Sequence, residues 1–179
     1  MNTLSPNQHP LADEAIAQIE TLVAEAFGMK PEEPILGITN DVVIAPNLRA
    51  LLERPSTILS TQEDDNKIIG FNLAIPIGDM NPARATESTE TAYIYFTAVD
   101  PSRQGEGLVR LLNEDILKRI AESGYSHAEI DTLIANDYAE IFGKNYQSAI
   151  IETYDHERWP EIGKERFFRL DLAKLSPSN

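Results

Sequence analysis

The chain has 179 residues, of which 42% are hydrophobic, and its formal net charge is −14 at pH 7. This size and apolar content predict one domain over residues 1 to 179 with a core of its own. The negative charge argues against a nucleic acid as partner, because phosphate backbones are bound by cationic side chains. The absence of cysteine excludes disulfides, thiolate metal ligands and a cysteine nucleophile.

The first half of the chain predicts two helices followed by a hairpin. Apolar residues at a spacing of three and four predict a helix over residues 11 to 27, and a shorter helix is predicted over residues 47 to 54. Two apolar strands over residues 57 to 61 and 67 to 77 are separated by a polar turn and predict an antiparallel hairpin. Residues 78 to 90 are rich in turn-forming residues and predict an exposed loop.

The second half alternates strands with helices, as a mixed α/β domain does. In chain order we first predict a strand over residues 91 to 99 and a helix that begins at Gly107 and ends near Gly124. A strand over residues 127 to 134 and a helix over about residues 137 to 147, capped by Asn136, come next. The last two elements are strands over residues 150 to 155 and 165 to 172.

The sequence carries no sign of a secretory or membrane segment. No basic segment precedes an apolar run near its start, and no apolar stretch approaches the roughly 20 residues that span a bilayer. We therefore expect a cytoplasmic protein without membrane contact. Residues 1 to 10 and 175 to 179 are predicted to be flexible ends.

The most informative stretch reads VDPSRQGEGLVRLL and begins at Val99. A strand ends there, and Gly105 and Gly107 then open a helix whose apolar face starts at Leu108. Such a turn directs several backbone N–H groups at one point, where the positive end of the helix dipole also lies, and so predicts a site for a phosphate or pyrophosphate. Two familiar phosphate loops do not fit, since Arg110 replaces the third glycine of the dinucleotide fingerprint and the triphosphate loop's Gly-Lys-Ser/Thr is absent.

The segment from Gln104 to Val109, preceded by an apolar strand and Pro101, resembles the acyl-CoA-binding motif of the GNAT superfamily of N-acetyltransferases, Gln/Arg-x-x-Gly-x-Gly/Ala. Gln104 and Gly107 match this pattern, whereas Val109 stands where the family has glycine or alanine and narrows the approach to the pyrophosphate. The resemblance covers residues 57 to 172. It implies an α/β (α+β) fold with a mixed, largely antiparallel central sheet that splays beside the acyl-CoA site and is flanked by helices.

The resemblance also implies a function, that of an enzyme moving an acetyl group from acetyl-CoA directly to an amine acceptor on a small molecule or a peptide. Loop amides would hold the pyrophosphate, the strand edge the pantetheine arm, and Arg103 and Arg110 would add charge contacts to phosphate. Family members often pair through sheet edges, so a homodimer is one candidate assembly. The residues assigned to the cofactor are Ala98, Val99, Arg103, Gln104, Gly105, Glu106, Gly107, Leu108, Val109 and Asn136.

Two alternatives of a different class stay open. A degenerate member of the fold would bind acyl-CoA as a sensor or interaction module without turnover, and Val109 and a displaced tyrosine favour that reading. An interaction scaffold without a cofactor would use the two glycines only to make a tight turn.

A second family motif follows the next strand, with Asn, Ala three residues later and a tyrosine about seven after the Asn. Asn136 and Ala139 match, but the expected tyrosine position is Gly143. Tyr146 is our candidate for the general acid that protonates the CoA thiolate, and Tyr138 is the other candidate. The alternative is an apolar ridge at spacing four, formed by Tyr138, Phe142, Tyr146 and Ile150.

The base and the acceptor pocket stay open at this stage. A strand amide near Ala98 or Val99 is a candidate for polarising the thioester carbonyl. Trp159 either lines the acceptor pocket or packs the last hairpin, and Tyr93 and Tyr95 are predicted to share one strand face. His9, His127 and His156 share no ligand spacing, so no metal site is expected. The base is a water chain or one of the carboxylates Glu90, Glu129, Asp131 and Asp155.

Overall fold

The computed structural model describes residues 11–27, 48–159 and 163–175. Apart from one short additional helix (Ile77–Met80), its helices and strands follow the order expected from the sequence. In chain order they are α1 (Asp13–Phe27), α2 (Leu48–Leu52), β1 (Ile58–Asp64), β2 (Lys67–Pro76), α3 (Ile77–Met80), β3 (Thr91–Val99), α4 (Leu108–Glu122), β4 (His127–Leu133), α5 (Tyr138–Asn145), β5 (Ile150–Trp159) and β6 (Gly163–Asp171).

The strands of the described part of the chain form one six-stranded sheet in the order β1-β2-β3-β4-β6-β5. Every neighbouring pair is antiparallel except β3 and β4, which are parallel and are connected through α4. The predicted mixed, largely antiparallel sheet flanked by helices is therefore confirmed. The turn of the predicted β1–β2 hairpin has positive φ at Asp65 (48°) and Asn66 (64°), as a two-residue hairpin turn requires.

The sheet opens between its two parallel strands. Their pairing covers only Thr91–Ile94 of β3 and His127–Ile130 of β4, although β3 continues to Val99. On its other edge β3 stays paired with β2, with a bulge that leaves Tyr95 as the extra residue. Because of this splay, the part of β3 between its bulge and its end has one edge that is not paired with β4. The open edge lies beside the glycine turn, as the resemblance implied.

The alternation of side chains along β2 assigns the two faces of the sheet to different helices. Ala74 packs in a core cluster with Ile116 of α4 and Phe142 of α5, while Phe71 packs on the opposite face with α1 and α2. Burial of each such aliphatic or aromatic side chain contributes about 1.5–3 kcal/mol. The apolar stripe of α1 lies on the second face, as its spacing predicts, with Ile16, Ile19, Leu22 and Val23 buried.

Three predictions about local structure were wrong. The predicted loop over residues 78 to 90 contains part of α3 and a 3₁₀ stretch, Pro82–Glu87, because the Asn81 side chain accepts a hydrogen bond from the Ala83 N–H and caps it. The strand predicted to end at residue 155 continues to Trp159, because β6 pairs with it along its whole length.

The third concerns the cap of α5. The helix starts at Tyr138 and its N-cap position is Asp137, with φ of 59°, whereas Asn136 belongs to the preceding 3₁₀ turn, Ile134–Asn136. Of the predicted flexible ends, residues 1 to 10 and 175 to 179, all but Leu175 lie outside the described residues. In the described part of the chain, every helix is too short or too polar to cross a membrane.

Candidate active site

The turn after β3 is fixed by one carboxylate. Asp100 accepts hydrogen bonds from the Ser102 N–H (2.9 Å) and the Ser102 hydroxyl (2.6 Å), and so caps the 3₁₀ turn Pro101–Arg103. Lys67 of β2 also reaches it, with Nζ 3.3 Å from Oδ2. These hydrogen bonds, those from Ser102 above all, hold the pKa of the Asp100 carboxyl below its usual value. The chain therefore leaves β3 in a defined direction toward α4.

The two glycines of the turn adopt the left-handed backbone region, with φ of +87° at Gly105 and +79° at Gly107. A Cβ on either one would meet no atom within 4 Å, so glycine is needed here for its backbone conformation and not for lack of space. Gly107 is the N-cap of α4, and the N–H groups of Leu108 and Val109 have no carbonyl of their own helix to bind. The turn thus offers several unpaired backbone donors to an anion.

A cleft of about 630 Å³ lies between the end of β3, the glycine turn and helices α4 and α5. The sheet has opened at this place, so the free edge of β3 forms one of its walls. Its lining residues are Ala26, Thr97, Ala98, Val99, Arg103, Gln104, Gly105, Gly107, Leu108, Val109, Arg110, Asn113, Tyr138, Ile141, Phe142 and Asn145.

The cleft brings together eight of the ten residues assigned to the cofactor, the exceptions being Glu106 and Asn136. Glu106 is not among the lining residues, and its carboxylate lies 2.7 Å from Arg103 Nε. The side chain of Asn136 lies outside the described part of the structure. Val109 lines the cleft and packs at its rim beside the buried Leu108 and Leu112.

The two arginines of the turn are already paired with carboxylates. Arg103 contacts Glu106 through Nε (2.7 Å) and Asp64 through Nη1 (2.7 Å), and Arg110 contacts Glu114 through Nε (2.8 Å). These contacts raise the pKa of both guanidinium groups and hold the pKa of Glu106 below its usual value. A guanidinium has five N–H donors, so each arginine keeps donors for a phosphate, but the carboxylates reduce the net positive charge that a phosphate meets.

A buried polar chain leads from the sheet to the cleft and ends at a phenol. Asn72 donates to Asn113 Oδ1 (2.9 Å), and Asn113 Nδ2 donates to the phenol oxygen of Tyr138 (2.5 Å). Burial raises the pKa of Tyr138 to about 12, an effect that the hydrogen bond from Asn113 partly offsets. The sequence analysis missed both asparagines, although each interrupts an otherwise apolar surface and such interruptions are a usable signal.

The structure puts Tyr138 at the cleft, whereas Tyr146 is not among the lining residues. Tyr146 follows the last helical residue of α5, packs with its ring centroid 4.7 Å from that of Phe142, and has a pKa raised by burial. At Gly143, where the family motif has its tyrosine, a Cβ would face the ring of Phe168 at 3.4 Å. The geometry therefore favours Tyr138. The rings of Tyr138, Phe142 and Tyr146 also contact one another in sequence, as the alternative of an apolar ridge requires.

Two of the four candidate bases are neutralised by arginines. Glu129 is 1% exposed and accepts from Arg84 at 2.7 and 2.8 Å, with Arg169 Nη1 at 3.3 Å. Asp155 accepts two hydrogen bonds from Arg166, which hold the pKa of its carboxyl below its usual value. Both carboxylates therefore have fixed cationic partners.

The other carboxylate candidates differ sharply in environment. Glu90 is exposed at the turn before β3. Asp131, in contrast, is nearly buried, accepts from the hydroxyl of Tyr93 (2.9 Å) and lies 2.6 Å from Nε2 of His156. The rings of Tyr93 and Tyr95 contact each other with centroids 6.4 Å apart, as expected for one strand face. The side chain of Trp159 lies outside the described part of the structure.

A metal centre has no support in the described residues. Within residues 11–27, 48–159 and 163–175, no three His, Asp or Glu side chains are arranged to hold an ion.

The described site consists of an open strand edge, a two-glycine turn at a helix N-terminus and a buried phenol. A helix N-terminus that follows a glycine turn is typical of the class of proteins that bind an anionic, nucleotide-type cofactor.

The family model of the acetyltransferase (GNAT) family matches residues 18–143. The chain therefore belongs to the acetyltransferase (GNAT) family, which confirms the resemblance found in the sequence and, with it, acetyl-CoA as the expected co-substrate. No curated protein matches the sequence.

Solved structures share the fold at low sequence identity. One is yncA from Salmonella typhimurium, solved with its cofactor acetyl-CoA, at 15% identity and a TM-score of 0.66 over 100% of this chain and 99% of that chain. Another is the aminoglycoside 6′-N-acetyltransferase from Enterococcus faecium, at 13% and 0.62 over 100% of both chains. A third is a ribosomal-protein alanine N-acetyltransferase from Escherichia coli, at 12% and 0.64 over 99% and 98%. The TM-scores indicate a common fold, and the identities are too low to indicate more than that.

Proposed function

We propose that this protein is an N-acetyltransferase that moves an acetyl group from acetyl-CoA directly to an amine. The observation that carries the proposal is the cleft in which the glycine turn, the open edge of β3 and the phenol of Tyr138 meet. Acetyl-CoA supplies an activated acetyl thioester at the end of a long arm with a pyrophosphate at its other end.

The residues of the cleft fit that co-substrate from end to end. The N–H groups at Gly107, Leu108 and Val109 take the pyrophosphate, at the positive end of the α4 dipole. The open edge of β3, which ends at Ala98 and Val99, offers peptide groups to the amide-bearing arm. The volume of about 630 Å³ is in the range of cofactor clefts.

The catalytic demands are modest, because an amine attacks a thioester readily once it is unprotonated and correctly placed. An N–H of the open β3 edge polarises the thioester carbonyl, which develops negative charge as the amine attacks. This edge is part of a paired strand, so its donors are held in place before the substrate arrives.

Tyr138 acts on the leaving sulfur. The phenol has a pKa of about 12, against about 8.5 for an ordinary thiol, so complete transfer of its proton to the thiolate is unfavourable. It stabilises the developing thiolate as a hydrogen-bond donor, and the proton that the sulfur finally carries comes from the attacking nitrogen. Tyr146 is the alternative donor, and it is the weaker candidate because it is not among the residues that line the cleft.

The acceptor is an amine on a small molecule or on a peptide. Proteins of the same fold include an aminoglycoside N-acetyltransferase and a ribosomal-protein alanine N-acetyltransferase, so both acceptor classes are compatible with the architecture. A net charge of −14 favours a cationic acceptor over an anionic one.

The first test is a thermal melt of the full chain with acetyl-CoA, with NAD and ATP as controls. A ligand at 100 times its Kd stabilises by about 2.7 kcal/mol, which raises the Tm of a domain of this size by about 5–10 °C. Thiol release from acetyl-CoA is then measured with a panel of amines. Binding without turnover would favour the sensor or interaction module, and the absence of a shift with acetyl-CoA would contradict the cofactor assignment.

A further inference from the structure

We propose that His156, oriented by Asp131, is the base that removes a proton from the acceptor, and that the acceptor is therefore a protonated alkylamine. This inference rests on the proposed function and deepens it by assigning the base and the acceptor's charge. Its evidence is a polar line on the face of the sheet opposite α4, separate from the cleft itself.

The line crosses four neighbouring strands. The hydroxyl of Tyr93 on β3 donates to Oδ2 of Asp131 on β4 (2.9 Å), and Oδ1 of the same carboxylate lies 2.6 Å from Nε2 of His156 on β5. Strand β6 lies between β4 and β5, so the imidazole reaches over β6 to the carboxylate. Both carboxylate oxygens are thus engaged, and the orientation of the ring is fixed.

The line lies where the sheet opens. Asp131 is the first residue of β4 beyond Ile130, the last residue that pairs with β3. Ile130 packs in the core cluster of α4 and α5, so its neighbour Asp131 faces the other side of the sheet. The acetyl-CoA cleft lies between the end of β3 and helices α4 and α5. An amine that approaches the opening from the opposite face therefore meets Asp131 and His156.

The other candidate bases are less suitable. Glu129 is held between two arginines and Asp155 is held by Arg166, so neither can take a proton without leaving a guanidinium unpaired. Glu90 is exposed before the paired part of β3 begins. The Asp131–His156 pair combines a nearly buried carboxylate with an imidazole that is 20% exposed, so the imidazole is the part of this pair that a substrate can reach.

The pairing sets the tautomer that the step needs. When Nε2–H donates to Asp131, Nδ1 carries the lone pair and is the basic atom. The carboxylate then stabilises the imidazolium that forms, as it does in other carboxylate–histidine pairs. The titratable groups that face or adjoin the imidazole include Asp131 on β4, Tyr93 on β3, Glu165 on β6, and Tyr154, Asp155 and the exposed Glu157 on β5.

The transfer conserves atoms, charge and electron pairs. The ammonium gives one proton to Nδ1 of His156, and its nitrogen then uses the freed lone pair to form a C–N bond with the thioester carbonyl carbon. The C–S bond breaks, and the sulfur leaves with the electron pair. A second proton from the nitrogen ends on the sulfur, and the imidazolium returns the first proton to water. Each amide formed therefore releases one proton to solvent.

This assignment specifies the chemistry of the acceptor. An alkylamine such as a lysine side chain has a pKa near 10.4 and is almost fully protonated at neutral pH, so it needs a base. An aromatic amine is already neutral there and does not. The negative charge of the Asp131 carboxylate and the ring faces of Tyr93 and Tyr95 also attract a cation.

The test uses the full chain, acetyl-CoA and four amines, namely tyramine, spermidine, kanamycin and a peptide with an N-terminal alanine. The amine that gives the fastest thiol release is used to measure kcat/KM against pH for the wild type and for His156→Gln and Asp131→Asn. Glu157→Gln, an exposed carboxylate on the same strand, is the matched control. A thermal melt with acetyl-CoA checks that each variant folds and binds the co-substrate.

We expect His156→Gln to lower kcat/KM about 100-fold and to remove the acidic limb of its pH profile, with acetyl-CoA binding unchanged. Asp131→Asn should lower kcat/KM less and displace that limb, because Asp131 acts through the histidine. Added imidazole should restore part of the rate of His156→Gly. Glu157→Gln should behave as the wild type.

The two possible failures are distinguishable. Thiol release by His156→Gln at the wild-type rate, with the acidic limb intact, would overturn the role of His156 and leave the proposed function standing. Acetyl-CoA binding by the wild type without thiol release for any of the four amines would overturn the proposed function and this inference with it.

Discussion

Asn113 donates a 2.5 Å hydrogen bond to the phenol oxygen of Tyr138 and so joins α4 to α5 at the wall of the cleft. The amide of Asn113 is itself fixed, because its Oδ1 accepts from Asn72 on β2. Two hydrogen bonds therefore fix the position of the phenol relative to the central sheet. The open β3 edge of the same sheet forms another wall of the cleft.

Tyr138→Phe should lower kcat about 10- to 100-fold and leave the KM for acetyl-CoA nearly unchanged, because a hydrogen bond to a charged group contributes about 1.5–3 kcal/mol. The kcat of Tyr146→Phe should stay within about twofold of the wild-type value, since the hydroxyl that it loses belongs to a residue that does not line the cleft. Steady-state thiol release measures both variants. The reverse order of effects would assign the sulfur contact to Tyr146.

Gly107→Ala should weaken acetyl-CoA binding and also destabilise the fold by about 1–2 kcal/mol, because a side chain at φ of +79° is strained. Gly124→Ala is its matched control, with φ of +91° and equally open space at the far end of α4. It should lose similar stability and keep its affinity for acetyl-CoA. Calorimetric titration and urea unfolding separate the two effects.

Gly107→Asp adds a negative charge at the same place and should abolish acetyl-CoA binding. Retained affinity in a folded Gly107→Asp protein would contradict the assignment of the turn to the pyrophosphate. Equal loss of affinity in both alanine variants would mean that Gly107 acts only through the stability of the fold.

Glu106→Gln should tighten acetyl-CoA binding about 1.5- to 5-fold at low salt, because it removes one of the two carboxylates that contact Arg103, the one 2.7 Å from Nε, and frees that N–H for a phosphate. The gain should shrink as salt rises, since the charges are at the surface. Glu122→Gln, at the other end of α4, makes the same change in net charge. An equal gain in that variant would attribute the effect to total charge and not to Arg103.

Stability should depend on pH through Asp100, whose pKa is lowered in the folded protein. A depressed folded pKa contributes stability above the unfolded value, about 3.9, and that contribution is lost as the pH falls through the folded pKa. Asp100→Ala should therefore cost about 1 kcal/mol near neutral pH, and the cost should shrink below about pH 4. Urea unfolding at a series of pH values gives this difference.

Asp171 offers a matched control for Asp100, because it caps the 3₁₀ turn Leu172–Lys174 in the same way and its pKa is also lowered. Asp171→Ala should cost similar stability without changing the affinity for acetyl-CoA. Asp100→Ala should weaken that affinity, since it loosens the turn that leads into the two glycines. Unchanged affinity in Asp100→Ala would show that the glycines hold the turn unaided.

The parts of the fold with strong local signals were predictable from the sequence. The apolar period gave the position of α1, the polar turn gave the β1–β2 hairpin, and the two glycines gave the start of α4. The helical turns over residues 77 to 87 were missed because pieces of four to six residues are too short for an apolar period. The end of β5 was missed because that strand is exposed and has no apolar alternation.

The backbone of the glycine turn was predictable from the sequence, whereas the arrangement of the side chains that we propose for catalysis was not, for a physical reason. The loop is local in sequence and its glycines are required by its backbone. Tyr138, Asn113 and His156 become part of a site only through contacts between elements 25 or more residues apart, such as the hydrogen bond from Asn72 to Asn113, which is separated by 41 positions.

β3 is no longer paired with β4 after Ile94, so backbone N–H and C=O groups of β3 face the cleft. Every residue type carries these backbone groups. Replacing the side chains of the freed stretch leaves those donors and acceptors in place. An edge lined by backbone in this way is compatible with very different sequences, and solved structures share the fold at identities of only 12–17%, with TM-scores of 0.60–0.66.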